Sequence, residues 1–222
     1  MKIFLSFLFL LSFFASATES ICYGTTANGH LDNGVQLPSN GANFVGYSNI
    51  ARLAGRTYEH STVYQIVVDA YTALEVSRPE KVFQYAETGF ENGGEFKPHK
   101  THRNGLSVDF MVPVVDEGDK SVHLPTNPWN KFGYNIEFDG SGKFESYRID
   151  YEAMAAHIFE LDKAAEISGV KIWRVIFDPK LQPYLLKTKY GEYLKAHIRF
   201  STKPSWVRHD EHYHIDFDVP CK

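Results

Sequence analysis

Five of the ten histidines in this 222-residue chain fall in two short segments, and their spacing suits residues that share a metal ion. The later segment, Arg208-His209-Asp210-Glu211-His212-Tyr213-His214-Ile215-Asp216-Phe217-Asp218, has the pattern H-x-x-H-x-H. Within it His212, His214 and Asp216 share one parity and Tyr213, Ile215 and Phe217 the other, the alternation of a strand. Successive strand side chains point to opposite faces, so the two imidazoles project side by side while Ile215 and Phe217 enter a core. Two imidazoles placed that way can serve one metal ion. The earlier segment, Pro98 to Pro113, carries H-x-x-H-x-x-G-x-x-x-D at His99, His102, Gly105 and Asp109. Its end again reads as a strand, with Leu106, Val108 and Phe110 alternating against Ser107, Asp109 and Met111.

The elements around these segments must bring them together. At 43% hydrophobic and 23% charged, the composition is that of a globular chain long enough for one sizeable core. Residues 1–17 read as a secretory signal peptide: a basic Met1-Lys2, an apolar run from Ile3 to Phe14, and the small-x-small site Ala15-Ser16-Ala17. The run is too short for a membrane anchor, so an exported protein, periplasmic or secreted, is expected, with the functional domain over 18–222. With Lys2 in the leader, 22 of the 23 basic side chains remain against 27 acidic ones, a balance that does not point to nucleic acid. Cys22 and Cys221 are the two cysteines. In an oxidising compartment they pair and close nearly the whole domain; as free thiols or zinc ligands they would do neither.

Tyr23 to Gly55 reads as loops and short extended pieces. Ser61 is a suitable N-cap for a helix to about Glu75, with Val63, Ile66, Val67, Ala70 and Leu74 at helical spacing. His60, just before it, is either a structural loop residue or part of the rim of the site. Lys81 to Ala86 reads as a short strand, and Tyr134–Phe138 with Phe144–Ile149 as a hairpin. A second helix runs from Asp150 to about Ser168 and is ended by Gly169. Val170 to Phe177 is a buried strand, and Asp178-Pro179 starts a third helix to about Tyr190. Helices and strands interleave irregularly. The fold class is therefore α+β: a single domain whose central antiparallel β-sheet receives both clusters on neighbouring strands, flanked by helices and long loops.

The pair of motifs, H-x-x-H-x-x-G-x-x-x-D at His99, His102, Gly105 and Asp109 followed by H-x-x-H-x-H at His209, His212 and His214, resembles the penicillin-insensitive murein endopeptidases. These belong with the lysostaphin-type, D-Ala-D-Ala-type and hedgehog-like zinc folds. The resemblance implies that His102, Asp109 and His214 bind one Zn2+ per chain. Catalytic zinc sites use three N or O ligands and keep a fourth position for water, whereas structural sites close with four ligands, usually including Cys. A His2Asp set with no cysteine nearby reads as the open kind. Zinc there lowers the pKa of its water from about 15.7 to about 7 and polarises the scissile carbonyl.

The same resemblance makes His212 the general base or the stabiliser of the tetrahedral intermediate, with His209 assisting from the adjoining loop. His99 is implied to support the ligands or face the substrate, with a plain loop histidine as the other reading. Asp216 continues the metal-facing parity and either accepts a hydrogen bond from a ligand imidazole or is a solvated strand carboxylate. Arg103, with Lys97, Lys100 and Arg208, brackets the motifs in an otherwise acidic chain and can meet an anionic peptide, or is ordinary surface. The implied function is an exported zinc D,D-endopeptidase that cuts D-Ala–diaminopimelate cross-links in peptidoglycan. The alternatives are a D-Ala-D-Ala carboxypeptidase or other cell-wall metallopeptidase of this fold, and a non-catalytic zinc-stabilised binding module.

Overall fold

The computed structural model describes residues 19–203, 205 and 207–222; the leader expected over residues 1–17 lies outside them. The domain is built on a five-stranded sheet in the order Lys171–Ile176, His212–Asp218, Ser107–Met111, Phe83–Tyr85, Phe44–Gly46. The two motif strands are neighbours near its centre, paired antiparallel. The sheet is antiparallel except for its last pair, Phe44–Gly46 with Phe83–Tyr85, which runs parallel. A parallel pair needs a crossover, and the helix Ser61–Ser77 lies in the chain between those strands.

Helices Ser61–Ser77 and Tyr151–Ile167 pack against each other. The first buries Val63, Ile66, Val67, Ala70, Tyr71 and Leu74 at helical spacing. From the second, His157 meets Tyr213 and Phe110, which places the helices on the sheet face carrying the apolar parity of both motif strands. The opposite face therefore belongs to His212, His214, Asp216 and Asp109. Cys22 and Cys221 are disulfide-bonded across 199 positions, as expected for an oxidising compartment.

Several local expectations need correction. The N-cap of the first long helix is His60, whose Nδ1 accepts from the Thr62 N–H at 3.1 Å, because the Ser61 hydroxyl accepts from the Ser20 N–H instead. His60 is thus a buried structural residue. The stretch read as Tyr134–Phe138 is not a strand: Tyr134 turns its hydroxyl to Asp109, and the Phe138 N–H donates to Asp210. The hairpin is the shorter Lys143–Phe144 with Tyr147–Ile149. The third helix is shorter than the expected run to Tyr190, spanning Gln182–Leu185, since the Asp178 carboxylate is taken by the Lys180 N–H in a tight turn; a separate helix, Gly191–His197, follows beyond that run. Tyr23 to Gly55 contains a hairpin, Ile21–Thr25 with Asn28–Asp32, and a short helix, Asn49–Leu53.

Candidate metal centre

Register places the site. His214 stands opposite Asp109 across the paired strands, His212 opposite Met111 and Asp216 opposite Ser107. Asp109 is fully buried and is the hub of the cluster. Its Oδ1 lies 2.8 Å from His214 Nδ1 and 3.3 Å from His102 Nε2. Its Oδ2 accepts from the Tyr134 hydroxyl at 2.9 Å and lies 3.9 Å from both His99 Nδ1 and His212 Nε2.

His102 comes from the loop before the strand and holds a left-handed backbone, φ +66°, unusual for a residue with a side chain. Its Nδ1–H donates to the Thr88 carbonyl at 3.0 Å, which leaves the lone pair on Nε2. That Nε2 is buried and closes no hydrogen bond, although it faces Asp109. Gly105 makes the approach possible: at φ +76°, a Cβ there would sit 2.7 Å from the His60 nitrogen and 2.6 Å from Leu31 Cδ2.

The carboxylates and imidazoles here shift one another strongly. Burial alone would raise the pKa of Asp109, but the His102 and His212 imidazoles and the hydrogen bond with His214 hold it well below the usual carboxylate range. Burial likewise opposes a proton on His214, yet Asp216 and Asp109, one on each ring nitrogen, raise its pKa to about 10. Asp216 is a buried partner of His214 Nε2 at 2.9 Å rather than a solvated carboxylate. It also accepts from Ser107 Oγ at 2.6 Å and Arg174 Nε at 2.5 Å. A cation between His214, His102 and Asp109 fits this donor set: two imidazole nitrogens and one carboxylate oxygen, with a carbonyl and a carboxylate behind the rings.

His99, His102 and Asp109 form a group whose possible ligand atoms all lie within 4.8 Å of one another. His99 and His214 are thus rival neighbours of the same carboxylate. His99 Nε2 is bound by Glu87, which Arg56 and the Tyr47 hydroxyl also hold. Despite its burial, Glu87 is kept down at about 2 by His99 and Arg56.

His212 is anchored by a residue that the motif pattern had left blank. Its Nδ1 and Glu211 Oε1 share a hydrogen bond at 2.8 Å. Burial lowers the His212 pKa to about 4 and raises that of Glu211 to about 10. The His209 ring packs 4.5 Å from that of His212, and its Nδ1–H donates to the Val207 carbonyl at 3.0 Å. A cleft of about 430 Å³ opens over the cluster, lined by Glu87, His99, Lys131, Tyr134, Arg208, Glu211 and His212 among others. A second hollow, about 380 Å³, adjoins the cluster only at His209.

Of the bracketing cations, Arg208 reaches the cleft but is ion-paired with Glu137 and Asp210. Lys97 is an exposed partner of Glu95, and neither Lys97, Lys100 nor Arg103 lines the cleft. Sequence reasoning passed over Glu211, Tyr134 and Glu87. Glu211 lies inside the second motif, where its adjacency to His212 was the available signal. Tyr134 and Glu87 come from other loops and carried none.

Imidazoles grouped around one buried carboxylate below an open cleft form a site that could hold a metal ion. Over residues 22–222 the chain matches the family model of the penicillin-insensitive murein endopeptidases, and it belongs to that family. No curated protein matches it significantly. The resemblance carried by the two motifs thus extends over nearly the whole chain, and the protein is a peptidase of the murein endopeptidase type.

Proposed function

We propose that the chain is a zinc-dependent D,D-endopeptidase that cuts D-Ala–diaminopimelate cross-links in peptidoglycan, exported by way of a leader over residues 1–17 and active as the domain 18–222. The observation that carries the zinc reading is His102 Nε2: a buried lone pair, fixed by Thr88, unpartnered and aimed at Asp109. His102, Asp109 and His214 would hold the ion. His214 is preferred to His99 because its nitrogen lies nearer Asp109, 2.8 Å against 3.9 Å, and on a strand rather than a loop.

Bound zinc supplies a Lewis acid for the scissile carbonyl and acidifies a water. The protein's own groups do the rest. His212, neutral and held by Glu211, faces the cluster and takes up the proton of the attacking water. Tyr134 steadies Asp109, Asp216 steadies His214, and His209 packs behind His212. His99 lines the cleft, where substrate passes.

The test is mass spectrometry of cross-linked muropeptide dimers incubated with the mature protein, after chelation and after zinc is restored. Conversion of dimers to intact monomers only with zinc supports the proposal. Loss of a terminal D-Ala from monomers would make the enzyme a carboxypeptidase, and zinc binding without cleavage would make it a binding module.

A further inference from the structure

The segment Pro128–Gly133 contains an unusual backbone. Lys131 and Phe132, neither of them glycine, both lie in the left-handed region at φ +51° and +57°, and Gly133 follows at +104°. Consecutive side-chain-bearing residues in that region are strained and persist only where the surroundings force them. Here the surroundings do. The Phe132 N–H donates to the Asn127 carbonyl at 2.7 Å, and the Asn135 N–H to the Asn130 carbonyl at 3.0 Å. The Gly133 N–H donates to Asn130 Oδ1 at 2.9 Å, while the Phe132 ring meets Tyr47 edge-on at 6.2 Å. A Cβ on Gly133 would strike Met111 Cε at 2.9 Å.

The turn delivers Lys131 to the wall of the catalytic cleft. The other charged groups there are already engaged: Glu87 by Arg56 and His99, Arg208 by Glu137 and Asp210, Glu211 by His212. Among the described residues, none forms a hydrogen bond or ion pair with the Lys131 ammonium. A strained, braced turn therefore presents one uncompensated cation to the substrate.

We propose that Lys131 is a specificity residue that binds a free carboxylate of the cross-linked peptide, on the carbon next to the scissile nitrogen. This deepens the endopeptidase reading and rests on it. The amine-side residue of a D,D cross-link carries such a carboxylate, and a lysine ammonium is a point charge suited to it. No bond is made or broken by Lys131.

The experiment compares two dimers that differ only in that group, one with the carboxylate free and one with it as a primary amide. Wild type should favour the free acid by about tenfold in kcat/KM, the size of one charge-assisted contact. Lys131→Met should raise KM on the free-acid dimer with kcat near wild type, leave the amide dimer unchanged and so erase the preference. Lys131→Arg should keep most of it. Because the preference is a ratio within one preparation, partial misfolding cancels. An equal preference in wild type and Lys131→Met, or none in wild type, overturns the proposal while leaving the endopeptidase reading intact. A zinc-loaded wild type that cuts neither dimer overturns both.

Discussion

His214 Nδ1 lies 2.8 Å from Asp109 Oδ1, across two strands whose register sets these residues directly opposite one another. The pairing makes the Asp109–His214 contact a property of the sheet, while His99 and His102 reach it from the loop before the strand. Register in a sheet buried on both faces is strongly specified, since a slip of either strand by one residue would send its group to the opposite face and part the pair.

Replacing His102, Asp109 or His214 should remove stoichiometric zinc and dimer cleavage together, as measured by elemental analysis of dialysed protein. His99→Ala should keep the metal. If His99→Ala arrives metal-free while His214→Ala retains zinc, the two rivals exchange roles.

Asp216→Asn keeps the volume but weakens the acceptor behind His214 Nε2. Outer-shell changes of this kind cost about 10–100-fold in metal affinity. Competition against a chromophoric chelator should show that loss, and an unchanged affinity would mean Asp216 serves Arg174 and Ser107 alone.

His212→Ala should retain zinc and lose about 10²–10⁴ in kcat, the range for a positioned acid–base group. Glu211→Ala should fall between that variant and wild type, with full metal content, because it frees the ring without deleting it. A fully active His212→Ala variant would end its assignment as base.

His157, on the helix face of the sheet, gives a pH prediction away from the metal ligands. It is fully buried, and burial lowers its pKa to about 3 from 6.5. The folded state refuses a proton that the unfolded chain accepts, so its cost is absent above pH 6.5 and grows as pH falls toward 3. The slope is at most about 1.4 kcal/mol per pH unit. Urea unfolding of metal-free protein at pH 7 and 4.5 should show roughly 2–3 kcal/mol of loss that His157→Leu lacks. The same loss in both proteins would place the acid sensitivity elsewhere.

Breaking Cys22–Cys221 frees a loop of nearly the whole domain. The chain-entropy model sets the resulting loss at up to roughly 5 kcal/mol, which urea unfolding of the double Cys→Ala variant would measure. An unchanged midpoint would show that the backbone bonds Gly24 N–H to Lys222 O and Lys222 N–H to Cys22 O hold the ends without it.

What sequence conveyed and what it withheld follow one physical line. Strand alternation fixed the faces of His212, His214 and Asp216 because period two admits a single assignment, and helical spacing found both long helices. Residues that reach the site across space carried no periodic signal. Tyr134 was read as a strand start because its aromatic neighbours suit one, and only the left-handed turn before it sends its hydroxyl to Asp109. Likewise, the partner of Asp216 could be weighed but not chosen until the register was known.

Asp109 and His214 are 105 positions apart in the chain yet share one oxygen–nitrogen contact. A chain synthesised from its N-terminus therefore presents His102 and Asp109 long before His212 and His214 arrive. Until residue 218 has followed, the sheet lacks the strand His212–Asp218 and the cluster lacks His209, His212 and His214. No chain that stops short of that strand can assemble the site.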